Sequence, residues 1–435
     1  MPRPHRKQPP MPGSVADQTQ SPEPKRLDDK HIPFAKWAQE QGVQINGVSA
    51  ANLPGKGTGI VATKKLHVTE PGRPTSLLTK PSANLDFQIQ KGDKLVYVPV
   101  STLITLDSSF VTEQDLPTGC TVHGTIAAAL ARMSIEKGRW YSIWEGTWPS
   151  RNDFEESNPL CWSKDVQDSL PPTTKALRAH QSSKFEKDWR DLQDFLPGVA
   201  KEEYRYYWLV VNTRCFYWEY FKLAKEAKKK GKRLHGDDCV ALCPFADYFN
   251  HEDQGCTFNY NASGCSIICD RTYDIGEEVV VSYGRHSNDY LLVDGDGFIL
   301  NKNDHDSIKL DHLILPRLSQ KQKKLLQENS YLNEYILDPH EICYRTHVAL
   351  RSTITTPAKM QKFLLCEYDG SDEDSGVEGL IHDVLLEMKG EVDEMLEKLI
   401  GTVVREGDEK YVDVVRRRWL QMREMVERCK RGLEN

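Results

Sequence analysis

Asp247-Tyr248-Phe249-Asn250-His251, followed by Gly276-Glu277-Glu278-Val279-Val280-Val281-Ser282-Tyr283-Gly284, is the pair of segments that decides how this chain is read. Each segment alone says little. Asn-His dipeptides and Gly-Glu-Glu turns are common, a lone His251 reads as a satisfied core histidine, and a lone Tyr283 reads as a strand tyrosine packed in a core. Their order and spacing, with Ser287-Asn288-Asp289 and Gly297-Phe298-Ile299-Leu300 just downstream, make the combination specific.

Upstream of this pair, Trp208 to Trp218 is too aromatic and apolar for a surface element. The basic run Lys225, Lys228, Lys229, Lys230, Lys232 and Arg233 reads as a solvated loop before it reads as an import signal or acidic-partner patch. Thr121 to Trp140 is Ala-rich with a helical period, and Phe185, Trp189, Leu192 and Phe195 recur at helical spacing as one buried face. Strands are expected over Gly59–Thr63 and Lys94–Val98, the second stopped by Pro99, with a Pro- and Ser-containing surface insertion near 69–86 between them. Phe34–Ala38 begins folded structure as a short helix. Residues 1–32 are too polar to offset the entropy of ordering and read as a disordered leader. Downstream of residue 300 the texture is helical. Leu380, Val384, Met388, Val392, Met395, Leu396, Leu399 and Val403 share one helix face, and a last helix from about Glu409 turns Val412, Val415, Trp419, Met422 and Val426 inward. Such stripes are core far more often than binding grooves. The acidic stretch near 367–377 reads as a mobile linker.

Composition excludes several classes. A chain of 435 residues accommodates two or three domains, and 39% hydrophobic with 28% charged residues suits a soluble globular protein. A net charge of −7 argues against nucleic acid as a bulk partner. No apolar run approaches the ~18 residues that suggest a bilayer span. The N-terminal basic residues lack the apolar stretch of a secretory signal. Eleven cysteines without regular spacing indicate free thiols in a reducing compartment, cytoplasmic or nuclear, and Cys239, Cys243, Cys256, Cys265 and Cys269 do not have the spacing of paired zinc ligands.

The two opening segments resemble the C-terminal half of a SET domain, the fold of most protein-lysine methyltransferases. Without flanking zinc clusters, with a helical insertion at about 103–238 and a helical tail, the chain is similar to fungal members of the Rubisco large-subunit methyltransferase-like branch. The resemblance implies an α+β fold: a SET domain of short twisted β-sheets over 33–300 and an all-helical C-terminal, substrate-binding-like domain over 301–435. It implies S-adenosyl-L-methionine as cofactor, no metal, and a protein substrate, with the chain a monomer. Carried over by position, Lys56, Gly57 and Thr58 belong to the first cofactor motif, Asp247, Asn250 and His251 contact the cofactor, and Phe298 packs on adenine. Arg214 pairs either with the cofactor carboxylate or with a structural acid. Tyr283 is the catalytic tyrosine. The chain departs from the branch at Asp294-Gly295-Asp296-Gly297-Phe298, where the channel tyrosine is missing and a residue is gained, so that Asp296 would line the substrate channel.

Methyl transfer from a sulfonium to an amine is an in-line displacement. The protein must align the reactants, exclude water and receive a lysine without its proton, although the free side chain has a pKa of about 10.4. The expected activity is therefore methylation of a lysine on a non-histone protein, one of the translation machinery. Two alternatives stand beside it: an impaired SET protein acting as a protein-binding module, and a histidine methyltransferase.

Overall fold

The computed structural model describes residues 30–64, 92–117, 119–135, 138–229, 231, 236–295, 297–401 and 407–433. Most of the expected leader, the 69–86 insertion, and Lys230, Lys232 and Arg233 of the basic run lie outside these residues. Lys225, Lys228 and Lys229 are exposed on a helix, Phe221–Lys229.

Chain order begins with α1 (His31–Glu40), whose Phe34, Trp37 and Ala38 are buried. Besides a small antiparallel pair, Ile308–Lys309 with Ile336–Leu337, inside the region expected to be all-helical, eight strands are described before residue 300: β1 (Gln44–Ile45), β2 (Val48–Leu53), β3 (Gly57–Ala62), β4 (Lys94–Pro99), β5 (Cys215–Tyr217), β6 (Val240–Leu242), β7 (His251–Asn261) and β8 (Gly264–Ile268). They pair antiparallel as a four-stranded sheet in the order β1-β4-β8-β7, a β2–β3 hairpin and a β5–β6 ribbon. The expected strands thus appear, the second ending at Pro99 itself.

The segment after Gly276 joins these pieces. The Val279 N–H donates to the Ile60 carbonyl (2.8 Å) and the Ala62 N–H to the Glu277 carbonyl (2.9 Å). On its other side the Val281 N–H donates to the Asn250 carbonyl (3.0 Å), and the Cys256 N–H to the Val280 carbonyl (2.8 Å). Val279, Val280 and Val281 are buried between two stretches of chain distant in sequence, which is why three consecutive apolar residues occur here.

Between β4 and β6 the helical insertion builds most of the first core. α2 (Val122–Met133) starts where the Thr121 hydroxyl accepts the Gly124 N–H at 2.9 Å, a helix cap. Its buried alanines allow close packing against α4 (Lys201–Arg214), while α3 (Pro172–Leu192) adds Phe185 and Leu192. The face expected to reach Phe195 stops at Leu192. There the helix tightens into a 3₁₀ turn, which swings Phe195 to 42% exposure.

A second core gathers residues of α6 (Tyr344–Ile354), α7 (Asp374–Gly401) and α8 (Glu409–Leu433), together with Trp162, Val166 and Leu170 of the insertion and Leu292 of α5 (Asn288–Val293). Val384, Met388, Val392, Leu396 and Leu399, then Val415, Trp419, Met422 and Val426, are all buried. Each fully buried aliphatic of this size contributes about 1.5–3 kcal/mol. Val403 lies outside the described residues. The stretch expected as an acidic linker is instead ordered, though most of its side chains stay exposed: Gly370 takes a left-handed φ of +83°, Ser371–Glu373 forms a 3₁₀ turn and Asp374 starts α7. The correction has an electrostatic cause, because the buried Arg351 binds the Gly370 carbonyl and the Asp374 carboxylate (2.5 Å).

Candidate active site

A sharp turn delivers the first motif. Phe245, buried, sits at φ +67°, a conformation that costs a non-glycine residue about 1–3 kcal/mol. The 3₁₀ turn Ala246–Tyr248 follows, and β7 then begins at His251. Asp247 is buried; its Oδ2 accepts the Trp144 indole N–H at 2.9 Å, and its carbonyl accepts Arg214 Nη1 at 2.8 Å. Arg214 ends α4, so the insertion supplies the guanidinium and the SET-like segment positions it.

Tyr283 and His251 form one unit. The Tyr283 N–H donates to His251 Nδ1 (3.0 Å), their rings stack at 5.0 Å, and the Tyr283 hydroxyl donates to the Phe249 carbonyl (2.8 Å). Accepting at Nδ1 places the imidazole hydrogen on Nε2. Burial depresses the His251 pKa, which keeps the ring neutral at neutral pH. Phe298 lies beyond it, its ring centroid 6.2 Å from that of His251.

A second cluster surrounds Glu278. Its Oε2 accepts Lys56 Nζ at 2.6 Å and its Oε1 accepts Asn250 Nδ2 at 2.9 Å. Glu252 lies 3.6 Å from Lys56. Burial pulls the Lys56 pKa down, but the two carboxylates outweigh it and the net shift is upward. The β2–β3 hairpin comes close enough that a Cβ on Gly59 would stand 2.7 Å from Asn250 Nδ2 and 2.4 Å from Leu53 Cδ1, so only glycine fits without movement.

A cavity of about 480 Å³ opens on Tyr283. Of the expected residues, Arg214, Asp247 and Tyr283 line it. Lys56, Gly57, Thr58, Asn250, His251 and Phe298 are not part of its lining; Lys56 and Asn250 meet at Glu278, and His251 backs Tyr283. Asp296 is outside the described residues. Sequence reasoning missed Phe216, Phe258, Tyr290 and Asp294, which also line the cavity. Phe216 stacks on Phe258 at 4.7 Å and Tyr290 on His286 at 4.1 Å. These rings supply aromatic wall that the altered Asp294–Phe298 segment does not. The available signals were the Cys215-Phe216-Tyr217 run directly after Arg214, and Tyr290 following the Ser287 helix cap.

An adenosyl amino acid with a sulfonium centre suits this set of groups. Within the cavity Arg214 would meet a carboxylate and the faces of Phe216, Phe258 and Tyr290 a sulfonium, while Phe298 and His251 stand outside its lining. The backbone at Gly57 is open, with no atom within 4 Å of where a Cβ would lie. Among the described residues no group of three or more His, Cys, Asp or Glu is placed to hold a metal ion, and no helix is long and apolar enough to cross a membrane.

Comparison with known proteins adds a family model, three relatives and a solved structure. Residues 306–431 match the family model of the ribosomal lysine N-methyltransferase 2 C-terminal domain. Ribosomal lysine N-methyltransferase set11 of Schizosaccharomyces pombe is 30% identical over 245 residues, 53% of this chain and 60% of that protein. Ribosomal lysine N-methyltransferase 2 of Saccharomyces cerevisiae is 24% identical over 275 residues, 52% and 55% respectively. Human actin-histidine N-methyltransferase is 23% identical over 313 residues, 66% of this chain and 45% of that protein. The chain therefore spans about half the length of the curated relatives it matches. The solved SET domain of LSMT bound to lysine and AdoHcy superposes with a TM-score of 0.58, over 93% of this chain and 91% of that one, at 14% identity. That likeness establishes the fold.

Proposed function

We propose that this chain, whose fold is that of a SET domain, belongs to the branch that holds LSMT and the ribosomal lysine methyltransferases, and that it transfers a methyl group from S-adenosyl-L-methionine to a lysine side chain of a ribosomal protein. The observation that carries this reading is the Tyr283 unit: a tyrosine hydroxyl fixed at a cavity wall by the Phe249 carbonyl and by the stacked His251, across a cavity that also holds Arg214.

In this reading the cofactor supplies an electrophilic methyl group on a sulfonium, and everything else falls to the chain. Arg214 binds the carboxylate, and Asn250, fixed by Glu278, presents polar groups to the amino-acid end. The Tyr283 hydroxyl gives its hydrogen to Phe249, so toward an incoming amine its oxygen acts as an acceptor. An N–H held there orients the nitrogen lone pair for in-line attack. Apolar walls exclude water and disfavour the charged ammonium, which eases loss of its proton. The helical C-terminal region over 301–435 would hold the folded substrate.

The test is calorimetric titration with S-adenosylhomocysteine, followed by transfer of labelled methyl to purified ribosomes. One-to-one binding, weakened about tenfold or more by Asn250→Ala, and label recovered as methyl-lysine are expected. A folded protein that binds no S-adenosylhomocysteine would favour a protein-binding module, and label recovered as methyl-histidine would replace lysine as the acceptor.

A further inference from the structure

Two cysteines at the cavity are not used by the steps above. Cys256 of β7 lines it, and Cys269 directly follows β8. Thr257 pairs with Ile268, so the next residues along the ladder, Cys256 and Cys269, stand opposite each other. Their backbones turn outward. The Cys256 N–H donates to the Val280 carbonyl at 2.8 Å. The Cys269 N–H donates to the Asp93 carbonyl at 3.0 Å, and its carbonyl accepts the Gly92 N–H at 3.0 Å. They therefore form the non-hydrogen-bonded kind of antiparallel pair, in which Cα atoms are typically about 4.5 Å apart and the side chains share a face. A disulfide spans Cα separations of about 4.4–6.8 Å, so this pair can be joined with the strands left in place.

The two thiols are in contact, and the contact gives them different characters. The hydrogen that Cys256 offers draws the Cys269 pKa down, against the effect of burial. The same contact, with burial and Asp270, pushes the Cys256 pKa up. Cys269 is thus the sulfur that ionises more readily, and Cys256 is the one that keeps its hydrogen. Asp270 can take that hydrogen: it is half-buried, and its Oδ1 lies 3.2 Å from Cys256 Sγ and also accepts the Tyr273 hydroxyl at 2.7 Å. Other thiols nearby lack one part of this arrangement. Cys215 lines the cavity, but burial raises its pKa. Cys243 and Cys265 are buried with their sulfurs 3.8 Å apart, and neither lines the cavity.

We propose that Cys256 and Cys269 form a thiol-oxidation site, reached by hydrogen peroxide through the cavity and closed into a disulfide. The Cys269 thiolate attacks one peroxide oxygen and the O–O bond breaks. The departing hydroxide takes up a proton and leaves as water, and Cys269 becomes a sulfenic acid. Cys256 then gives its proton to Asp270, and its sulfur attacks that of Cys269. The S–O bond breaks, and the hydroxide takes the proton from Asp270 and leaves as a second water. Two thiols give two electrons to one peroxide, and a dithiol reductant restores them by exchange. The site needs the cavity and not the methyltransferase reading of what the cavity binds.

The experiment treats the full chain with limiting hydrogen peroxide, blocks the remaining thiols with iodoacetamide and maps peptides by mass spectrometry. Wild type should yield a peptide pair linked through Cys256 and Cys269, lighter by two hydrogens than the separate peptides and parted by dithiothreitol. Cys256→Ser should leave Cys269 as a sulfenic acid that dimedone traps, and Cys269→Ser should leave Cys256 reduced. Cys243 and Cys265 should link more slowly than the cavity pair. Wild type in which Cys269 stays reduced after the exposed Cys366 has been oxidised overturns the proposal, whatever the variants do. Linking of Cys243 to Cys265 at an equal or higher rate also overturns it. S-adenosylhomocysteine at about ten times its Kd leaves about a tenth of the cavities empty and should slow linking about tenfold. An unchanged rate in a protein that binds the compound removes the route through the cavity. If S-adenosylhomocysteine does not bind, the methyltransferase reading fails, and the peptide map still decides the disulfide.

Discussion

At the scale of single residues, Tyr283 makes the sharpest prediction. Its backbone N–H, not its hydroxyl, holds His251, so Tyr283→Phe leaves that bond and the ring stacking in place. The cost to folding is one hydrogen bond to Phe249, about 1 kcal/mol. Turnover should fall roughly a hundredfold or more, because orientation of the amine is lost, with S-adenosylhomocysteine affinity nearly unchanged. Single-turnover kinetics beside calorimetry checks this, and retained turnover would remove the assigned role. The reason Tyr283 and Asn250 stand out in the sequence is local: both belong to short segments whose backbone bonds to each other, so their residues occur in a fixed order. Phe216 and Phe258 had no such signature. They come from β5 and β7, and only packing brings them to one wall. Glu278 lay inside the quoted motif, yet its role needed Lys56 from a distant hairpin to become visible.

At the scale of elements, periodicity told core faces well and charge told connections badly. The apolar stripes of α7 and α8 are buried because residues three and four apart share a face, which depends on nothing beyond the helix itself. The acidic stretch before α7 misled because its composition is that of a solvated linker, while its conformation is set by the partners it meets, Arg351, Lys359 and Tyr368. Arg351 donates to the Gly370 carbonyl and to Asp374, and its guanidinium lies 4.8 Å from the Phe363 ring centroid. Gly370 has to be glycine here: its φ is +83°, and a Cβ would stand 2.6 Å from Arg351 Nη1. Arg351→Ala should destabilise the protein by about 2 kcal/mol, from a buried carbonyl left without its donor and the lost stacking surface. Urea denaturation measures that loss. Hydrogen exchange should place the new opening at residues 368–376, and protection unchanged there would restore the linker reading.

At the scale of the whole molecule, the two cores are joined by charge as well as by apolar contact. Arg418 of α8 is fully buried, its Nη2 2.7 Å from Asp289 and its Nη1 2.5 Å from Asp306. Asp289 also accepts the Thr174 hydroxyl of α3, and Asp306 accepts the Asn288 N–H at 3.0 Å. The cluster therefore ties the last helix to α5, whose Tyr290 and Leu291 line the cavity. Nearby, the Trp419 indole donates to the Ser169 carbonyl at 2.8 Å, so the same helix also grips the insertion. Burial opposes the charge on Arg418, but the two aspartates more than offset it and raise its pKa, so the guanidinium stays charged throughout the accessible pH range. Breaking such a cluster from one side is worse than removing it. Arg418→Met leaves two buried carboxylates without a cation and should cost about 3–5 kcal/mol, whereas adding Asp289→Asn and Asp306→Asn to it should recover a large part of that loss. The coupling is read from urea midpoints of the single, double and triple variants. Simple additivity would mean that the three side chains act independently. Recovery of stability without recovery of methyl transfer would place the value of the cluster in holding α5 at the cavity, since neutral amides fill the space but do not fix the angle at which Tyr290 and Leu291 meet it.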